Sequence, residues 1–336
     1  MYYQIRLIAI VFLFILFNGC GPKEKENVKV GFLLHALDKE RWENDRDFLI
    51  QKVQELGGTV IVKVADNDAN KQLEQAKALL SNGVDVLVVV PVDQFAAAEI
   101  VNEAHAKNIK VISYDRLIKN CDLDFYVSTD NVDIGTLQAN YLTTIRPVGN
   151  YALIGGAERD NNSKFLYLGQ MNVLEPLVEK GDIKIVYNVF TKAWEEQEGY
   201  EATRKMLSQV KNVDAVIAAN DAIAYGVLTE LKEAGLEGKV LVAGMDADLR
   251  NLQEIVAGHQ TCTVYKPFDK MAATTAEVAT KMAKGEEIEK TFQTVSNGKV
   301  LVPVVYHDAM LVNRENLKLT VISEGYQKEE EVYKNK

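Results

Sequence analysis

The chain has 336 residues, of which 47% are hydrophobic and 26% are charged. This composition is typical of a globular protein and argues against a disordered chain, and the length predicts about two domains. A formal net charge of −10 leaves no excess of basic side chains for phosphate contacts, so the composition argues against nucleic-acid binding.

The N-terminal segment is predicted to be a secretory signal. Arg6 precedes a uniformly apolar run that is too short to span a bilayer, which takes about 20 residues. The sequence FNGC at 17–20 resembles a bacterial lipobox, whose cysteine is lipidated and becomes the mature N-terminus. We therefore expect a signal peptide over 1–20 with lipidation at Cys20, or alternatively an uncleaved hydrophobic anchor, and then a flexible tether at 21–27.

After the tether, apolar strands alternate with amphipathic helices. Strands are read from apolar runs bounded by turn residues, and helices from apolar residues at helical spacing. The predicted order is strand 28–34, a helix ending at Gly57, strand 59–66, helix 70–83, strand 84–93, helix 96–108 and strand 109–116. Strict alternation of this kind predicts a doubly wound parallel sheet. The pattern restarts with a helix after residue 131, which indicates a second lobe.

One strand, helix and strand unit occurs twice, at 84–116 and at 213–248. The first copy reads VDVLVVVPVD before its helix and NIKVISYDR after it, and the second reads VDAVIAANDA and GKVLVAGMDAD. Each copy ends in polar residues, at Asp115 with Arg116 and at Asp246. Because open parallel sheets bind ligands outside the carboxyl ends of their strands, the repeat predicts one small polar ligand between two similar lobes.

The two lobes are predicted to share the C-terminal part of the chain. A short strand at 261–267 and an Ala-rich helix ending at Gly285 indicate that the chain returns to the first lobe. With crossings at 261–265 and near 293–299, three strands join the lobes as a hinge. The predicted fold is therefore α/β, with two doubly wound parallel-sheet lobes. Their bounds are 28–130 plus 264–294 for the N-terminal lobe and 131–263 plus 295–330 for the C-terminal lobe, and the charged tail is expected in solvent.

The sequence predicts no cofactor and no metal site. Its four histidines form no ligand-spaced cluster with cysteines or carboxylates. Apart from Cys20, the cysteines are Cys121 and Cys262, which could pair in an oxidising compartment. No spacing demands that disulfide, so we expect two unpaired thiols.

Several motifs give the chain a resemblance to a known family. They are ERWENDRD (40–47), GVDVLVVVP (83–91), ISYDR (112–116), DFYVSTDN (124–131), GGAERDNN (155–162), AANDA (218–222), DADL (246–249) and TVYKP (263–267). On these residues the chain resembles the periplasmic sugar-binding proteins of the ribose and galactose type, most closely the D-xylose-binding members. The resemblance covers about 28–330 and implies a type I periplasmic binding protein fold. The chain departs from the family at 35–39, where the family's loop is more acidic, and at 157–159.

The resemblance also implies which side chains contact a monosaccharide, with D-xylose favoured. Aromatic rings cover the apolar faces of a pyranose, while carboxylates, amides and basic groups pair with its hydroxyls. The chain has two tryptophans, which are expected in different lobes as a sandwich around the sugar. The predicted contacts are Arg41, Trp42, Asp115, Arg116, Asp160, Asn162, Trp194, Asn220, Asp246 and Lys266.

The same residues also have purely structural interpretations. Asp115 and Arg116 can form an ion pair at a strand end, and aspartate is favoured as a helix cap. Of Asp246 and Asp248, we expect one to cap the following helix and the other to bind the ligand. The charged residues at 45–46 are expected on the solvated face of the first helix.

Other functional classes fit the sequence less well. A glycoside hydrolase also places carboxylates beside tryptophans, but basic partners would keep these carboxylates ionised, and no acid and nucleophile stand out as a pair. A repressor of this fold would need a DNA-binding headpiece in place of a signal peptide. We therefore expect a binding protein with no enzymatic activity, located outside the cytoplasm and anchored to the cell membrane. Its expected partner is the permease of an ABC transporter, or alternatively the extracellular domain of a sensor histidine kinase or a chemoreceptor.

Overall fold

The structure is a computed structural model that describes residues 27–288 and 293–334. The predicted signal peptide, the lipidation site at Cys20 and all but the last residue of the tether lie outside these ranges. Within the described ranges, no helix combines the length and the apolar character that a membrane crossing requires.

Strands and helices alternate through most of the described chain. The strands are β1 (Lys29–Leu34), β2 (Thr59–Val64), β3 (Val86–Val89), β4 (Lys110–Tyr114), β5 (Phe125–Thr129), β6 (Gly149–Ala157), β7 (Ile183–Thr191), β8 (Ala215–Ala218), β9 (Leu241–Ala243), β10 (Thr263–Tyr265), β11 (Thr294–Ser296), β12 (Leu301–His307) and β13 (Met310–Val312). The helices are α1 (Glu40–Glu55), α2 (Ala69–Ser81), α3 (Ala98–His105), α4 (Asn131–Ile145), α5 (Asn161–Lys180), α6 (Glu196–Gln209), α7 (Asp221–Glu233), α8 (Leu249–Ala257), α9 (Phe268–Lys284) and α10 (Glu329–Val332).

The N-terminal lobe is built on a seven-stranded sheet with the order β11-β12-β5-β4-β3-β1-β2. All neighbours are parallel except β11, which runs antiparallel to β12. Strand β1, which lies between β3 and the edge strand β2, is apolar on both faces, because Phe32 packs into one core and Leu33 into the other. Helices cover both faces, and this burial explains the nearly continuous apolar runs in the sequence.

The C-terminal lobe has a smaller parallel sheet with the order β7-β6-β8-β9. Its central strand β6 also sends successive side chains into two cores, with Tyr151 and Leu153 on one face and Ala152 and Ile154 on the other. An isolated parallel bridge places Cys262, just before β10, beside β9, and β10 then pairs antiparallel with β13. The structure thus has the α/β architecture predicted from the sequence, with two parallel sheets in two lobes.

Three segments of the described chain connect the lobes, between β5 and α4, between β10 and α9, and between β12 and β13. The third crossing differs from the prediction, which placed it near 293–299. Residues 301–307 form β12, which pairs in parallel with β5, with Val304 opposite Tyr126. This pairing puts β11 and β12 in the N-terminal lobe, so the assignment of 295–330 to the C-terminal lobe is wrong for 295–307.

The charged tail is also less exposed than expected. Tyr326 and Val332 are 9% and 1% exposed and pack in the same core as β1 and α9. The Gln327 amide donates to Glu40 on α1 over 2.9 Å. The apolar residues between the charged ones therefore pack the C-terminal segment against this core.

Candidate functional site

A cavity of about 330 Å³ lies between the two lobes at the carboxyl ends of their strands. It is lined by all the side chains that the sequence predicted as ligand contacts: Arg41, Trp42, Asp115, Arg116, Asp160, Asn162, Trp194, Asn220, Asp246 and Lys266. The structure therefore brings together residues that are up to about two thirds of the chain apart. Their contact with a sugar stays a prediction.

Asp115 and Asp246 occupy matching positions in the two copies of the repeat. Each follows a buried strand and donates its backbone N–H to the next strand, Asp115 to Val127 and Asp246 to Val264, both over 2.8 Å. Both residues have positive φ values, 60° at Asp115 and 106° at Asp246. Such backbone costs about 1–3 kcal/mol for a residue other than glycine. The strand pairing holds this strained geometry, which turns the two carboxylates toward the cavity.

Basic side chains surround the Asp115 carboxylate. Arg41 Nη2 lies 2.5 Å and Lys266 Nζ lies 3.1 Å from Asp115 Oδ1. Arg41 also reaches Asp246 of the other lobe, with 3.4 Å between Nη1 and Oδ1. Burial alone would raise the pKa of Asp115, but the charges of Arg41 and Lys266 hold it well below the usual range. Asp115 is therefore ionised and neutralised by its neighbours.

Asp45 is buried, which corrects its predicted place on the solvated face of α1. It is 0% exposed, and its carboxylate accepts hydrogen bonds from Arg41 Nε over 3.1 Å and from the Tyr114 hydroxyl. Burial raises the pKa of this carboxyl to about 6, against the opposing influence of Arg41. Asp45 does not line the cavity, so it acts on the site through Arg41.

In the C-terminal lobe, Asp160 organises a second group of side chains. Its Oδ1 accepts the Asn162 backbone N–H over 2.9 Å and caps α5. Its Oδ2 accepts from Trp194 Nε1 over 3.1 Å and pairs with Arg116 Nε of the other lobe over 3.2 Å. The Asn162 side chain crosses the cleft as well, and donates to the Asp115 carbonyl over 3.1 Å.

The two tryptophans line the cavity from opposite lobes, as the sequence predicted. Trp42 is also a core residue at 3% exposure, and the Arg41 guanidinium lies 4.1 Å from its ring centroid. Trp194 packs against Gly156, where a Cβ atom would lie 2.3 Å from the indole ring. Glycine at 156 therefore provides the space that the Trp194 ring occupies.

Buried polar groups behind the cavity fix the loop that carries Asp246. The Asp221 carboxylate accepts from the Asp248 backbone N–H over 3.0 Å and from the Thr263 hydroxyl over 2.9 Å. Asp248 occupies the N-cap position of α8 but makes no side-chain hydrogen bond to the helix, so the predicted aspartate cap is not formed. Asn220, at the start of α7, accepts the Ile223 N–H over 3.0 Å with its Oδ1. Its NH₂ group takes no part in this cap.

The rim of the cavity contains residues that sequence reasoning missed. Lys39 of the N-terminal lobe pairs with Glu195 of the C-terminal lobe over 2.9 Å, and Gln94 donates to the Arg159 carbonyl across the same opening. His35 lines the cavity directly after β1. The rule that identified Asp115, a polar residue at the carboxyl end of a buried strand, applies equally to His35.

Neither a metal cluster nor a disulfide is found in the part of the chain that the structure describes. No group of three or more histidine, cysteine, aspartate or glutamate residues is arranged there to hold a metal ion. Cys121 and Cys262 are both buried free thiols.

Comparisons with known proteins agree with this architecture. The sequence profile described as "Periplasmic binding protein domain" matches residues 30–287. The chain is 40% identical over 309 residues to a D-xylose-binding periplasmic protein of Haemophilus influenzae, covering 92% of this chain and 93% of the relative. It is 41% identical over 319 residues to the protein of the same name from Escherichia coli, covering 95% and 96%.

Solved structures show the same fold. A carbohydrate transporter solute-binding protein from Chloroflexus aurantiacus, in complex with D-glucose, superimposes with a TM-score of 0.86 at 26% identity and covers 91% of this chain and 98% of its own. An ABC transporter solute-binding protein from Clostridium phytofermentans, with bound β-D-glucose, gives a TM-score of 0.84 at 26% identity, covering 90% and 99%. These relatives are binding proteins rather than enzymes. The chain belongs to the periplasmic binding protein family and has its type I fold.

Proposed function

We propose that the protein captures D-xylose between its two lobes and presents the closed form to the permease of an ABC transporter. The observation that carries this proposal is the lining of the cavity. Two tryptophans from opposite lobes face the same space as paired carboxylates and basic groups. Aromatic faces and charge-assisted hydrogen-bonding groups are the two features that a pyranose requires.

The charges of the lining favour a neutral ligand. Arg41 and Lys266 neutralise Asp115, and Arg116 neutralises Asp160. Arg41 also contacts Asp246. A phosphate or a sugar acid would add a charge beside carboxylates and basic groups that already pair with one another, which is costly in a buried environment. A polyol instead shares hydrogen bonds with the paired ions and leaves the charge balance unchanged.

The size of the cavity favours a small ligand. Its volume of about 330 Å³ lies near the lower end of the range of about 300–1,000 Å³ for ligand pockets. A monosaccharide fits this volume better than an oligosaccharide does. D-Xylose is the preferred candidate, because the two relatives at 40% and 41% identity over most of their length carry that sugar in their names.

Isothermal titration calorimetry tests the ligand. The purified protein is titrated with D-xylose, D-ribose, L-arabinose, D-glucose and D-galactose. We expect saturable one-to-one binding of D-xylose, at least about tenfold tighter than that of the other sugars, because an epimer that leaves a buried partner unpaired loses about 1–3 kcal/mol per group. Tighter binding of another sugar would replace D-xylose in the proposal, and no binding of any of them would overturn it.

The permease assignment needs a separate test. A strain that lacks the protein is expected to lose uptake of labelled D-xylose at low external concentration and to regain it when the gene is restored. Normal uptake in that strain, together with loss of xylose-induced gene expression, would favour the alternative, in which the closed form is presented to a sensor histidine kinase or a chemoreceptor.

We further propose that Cys20 anchors the protein to the membrane. The support is the sequence FNGC at 17–20 after an apolar run. Labelling with a fatty-acid analogue and cell fractionation are expected to show a lipidated, membrane-bound protein. The Cys20→Ser variant should lose the label. A wild-type protein without label would contradict lipidation, and its presence in the membrane fraction would then favour the uncleaved anchor.

A further inference from the structure

His35 occupies a central position at the cavity. It follows β1 directly, and its side chain lines the cavity together with those of Asp115 and Arg116. The residue is 4% exposed. Its imidazole packs edge-on against Trp42, with 4.5 Å between ring centroids and 79° between planes. His35 therefore forms part of the same wall as one of the two tryptophans.

The imidazole lacks a protein partner for a buried nitrogen. Nδ1 is inaccessible to solvent and makes no hydrogen bond with any residue in the described ranges. A buried polar atom left unpaired costs about 1–3 kcal/mol, so such atoms are rare and usually have a function. The other histidines differ in this respect, since His105, His259 and His307 each have a side-chain hydrogen-bond partner.

The surroundings of His35 favour an uncharged ring. Burial is the main cause that lowers its pKa well below the usual range, and the charges of Arg116, Arg41 and Lys39 lower it further against the opposing charge of Asp115. A neutral imidazole has one N–H donor and one acceptor nitrogen. A sugar hydroxyl also donates and accepts, so it can pair with an imidazole nitrogen in either tautomer of the ring, whereas a cation would be repelled by the neighbouring guanidinium groups.

We propose that His35 is a binding residue for the sugar, with an imidazole nitrogen paired to one hydroxyl of the bound monosaccharide. This inference rests on the proposed function and extends it, because it assigns a specificity role to a residue in the segment 35–39. His35 distinguishes sugars by the presence and orientation of that hydroxyl. The charged residues of the cavity anchor the remaining hydroxyl groups.

A thermodynamic cycle, in which both the protein and the sugar are changed, tests the contact. Affinities for D-xylose and for its single-deoxy derivatives are measured by calorimetry with the wild type and with His35→Phe, which keeps a ring against Trp42 but cannot form a hydrogen bond. We expect His35→Phe to bind D-xylose roughly tenfold or more weakly. We also expect one deoxy sugar to bind the wild type more weakly than D-xylose does. The same deoxy sugar and D-xylose should bind His35→Phe with nearly equal affinity. Unchanged affinity for D-xylose in His35→Phe would overturn the inference. So would losses of binding free energy from the protein change and the sugar change that simply add for every deoxy sugar.

The matched control is His105→Phe. His105 belongs to the same lobe, but it ends α3 and contacts Asp124, which precedes β5 at the amino ends of the strands, away from the cavity. This variant should bind D-xylose as the wild type does. A wild type that binds none of the sugars would overturn the proposed function and this inference together, whereas a wild type that binds D-xylose without coupling to His35 would overturn the inference alone.

A second measurement needs no change at position 35. The imidazole nitrogens of the wild type are labelled with ¹⁵N and followed by NMR as D-xylose is added. The signals of His105, His259 and His307 are assigned by replacing each with glutamine. We expect the remaining imidazole to shift on sugar binding while the other three stay in place. An unmoved His35 signal in the sugar-saturated protein would contradict the contact, even if His35→Phe failed to fold.

Discussion

Arg41 of the N-terminal lobe and Asp246 of the C-terminal lobe are paired across the cleft, with 3.4 Å between Nη1 and Oδ1. Two further contacts cross the cleft nearby, from Arg116 to Asp160 and from Asn162 to Asp115. The closed arrangement is therefore held in part by the protein itself. A sugar that contacts both lobes adds to these interactions and shifts the population further toward closure.

The rim pair of Lys39 and Glu195 is expected to strengthen sugar binding through closure. Its atoms lie 2.9 Å apart, and the Glu195 side chain is 49% exposed. Exposed ion pairs contribute about 0.2–1 kcal/mol, so we expect a double-mutant cycle of Lys39→Met and Glu195→Gln to show a coupling of up to about fivefold in affinity. Stopped-flow measurements should place this effect in the dissociation rate.

Salt provides an internal check on the rim pair. The coupling should shrink as ionic strength rises, because salt screens exposed charges. Lys232→Met is a control, since Lys232 pairs with Glu237 in a bridge that lies within the C-terminal lobe and does not cross the cleft. Equal effects of Lys39→Met and Lys232→Met on sugar affinity would argue against a contribution from the rim.

Replacing Trp194 by alanine is expected to weaken D-xylose binding by about tenfold or more, because the sugar loses an aromatic face. The same change also removes the 3.1 Å hydrogen bond from Trp194 Nε1 to Asp160. Trp194→Phe separates the two contributions, since it keeps a ring and lacks the donor. We expect intermediate affinity in Trp194→Phe, measured by calorimetry. Wild-type affinity in Trp194→Ala would remove this residue from the site.

Gly156→Ala is expected to weaken sugar binding although Gly156 does not line the cavity. The added methyl group would lie 2.3–2.5 Å from three carbons of the Trp194 indole, so the ring must move. We expect loss of affinity together with a changed tryptophan emission spectrum. The double variant Gly156→Ala with Trp194→Ala should be no weaker than Trp194→Ala alone. If the losses of affinity from Gly156→Ala and Trp194→Ala instead add in the double variant, Gly156 does not act through the Trp194 ring.

Asp45 is expected to give stability a pH dependence that Asp45→Asn lacks. Burial raises the pKa of this carboxyl from 3.8 to about 6 in a setting of Arg41, Tyr114 and Asp115. The folded protein binds the proton more tightly than the unfolded chain does. Unfolding therefore releases it, and the free energy of unfolding falls as the pH rises from about 4 to about 6.

The measurement for Asp45 is a comparison of urea unfolding for the wild type and Asp45→Asn at several pH values. The rise in pKa sets an upper limit of about 3 kcal/mol on the stability that the wild type loses relative to Asp45→Asn between about pH 4 and pH 7. Above about pH 7 the difference should be constant. A difference that is independent of pH across this range would mean that Asp45 is not the titrating group.

The sequence predicted which residues line the cavity better than it predicted the neighbours of each strand. Asp115 and Asp246 were found because the carboxyl end of a buried strand is visible in local hydrophobicity. The place of β12 was missed because periodicity identifies a strand but not its neighbour, and β12 pairs with β5, which lies far away in the sequence. Asp45 was misjudged for a different reason. It lies one turn from Arg41 on the same helix face, so burial of the arginine buries its partner as well.

The position of β12 determines the order in which the two parallel sheets can be completed. Protein chains are made from the N-terminus, and domains fold as units when all their parts are present. The C-terminal sheet is complete when β9 has been made, whereas the N-terminal sheet still lacks β11 and β12, and its core lacks α9. The sheet that begins the chain is therefore the later of the two to be completed, and β5 has an open edge until residues 301–307 arrive.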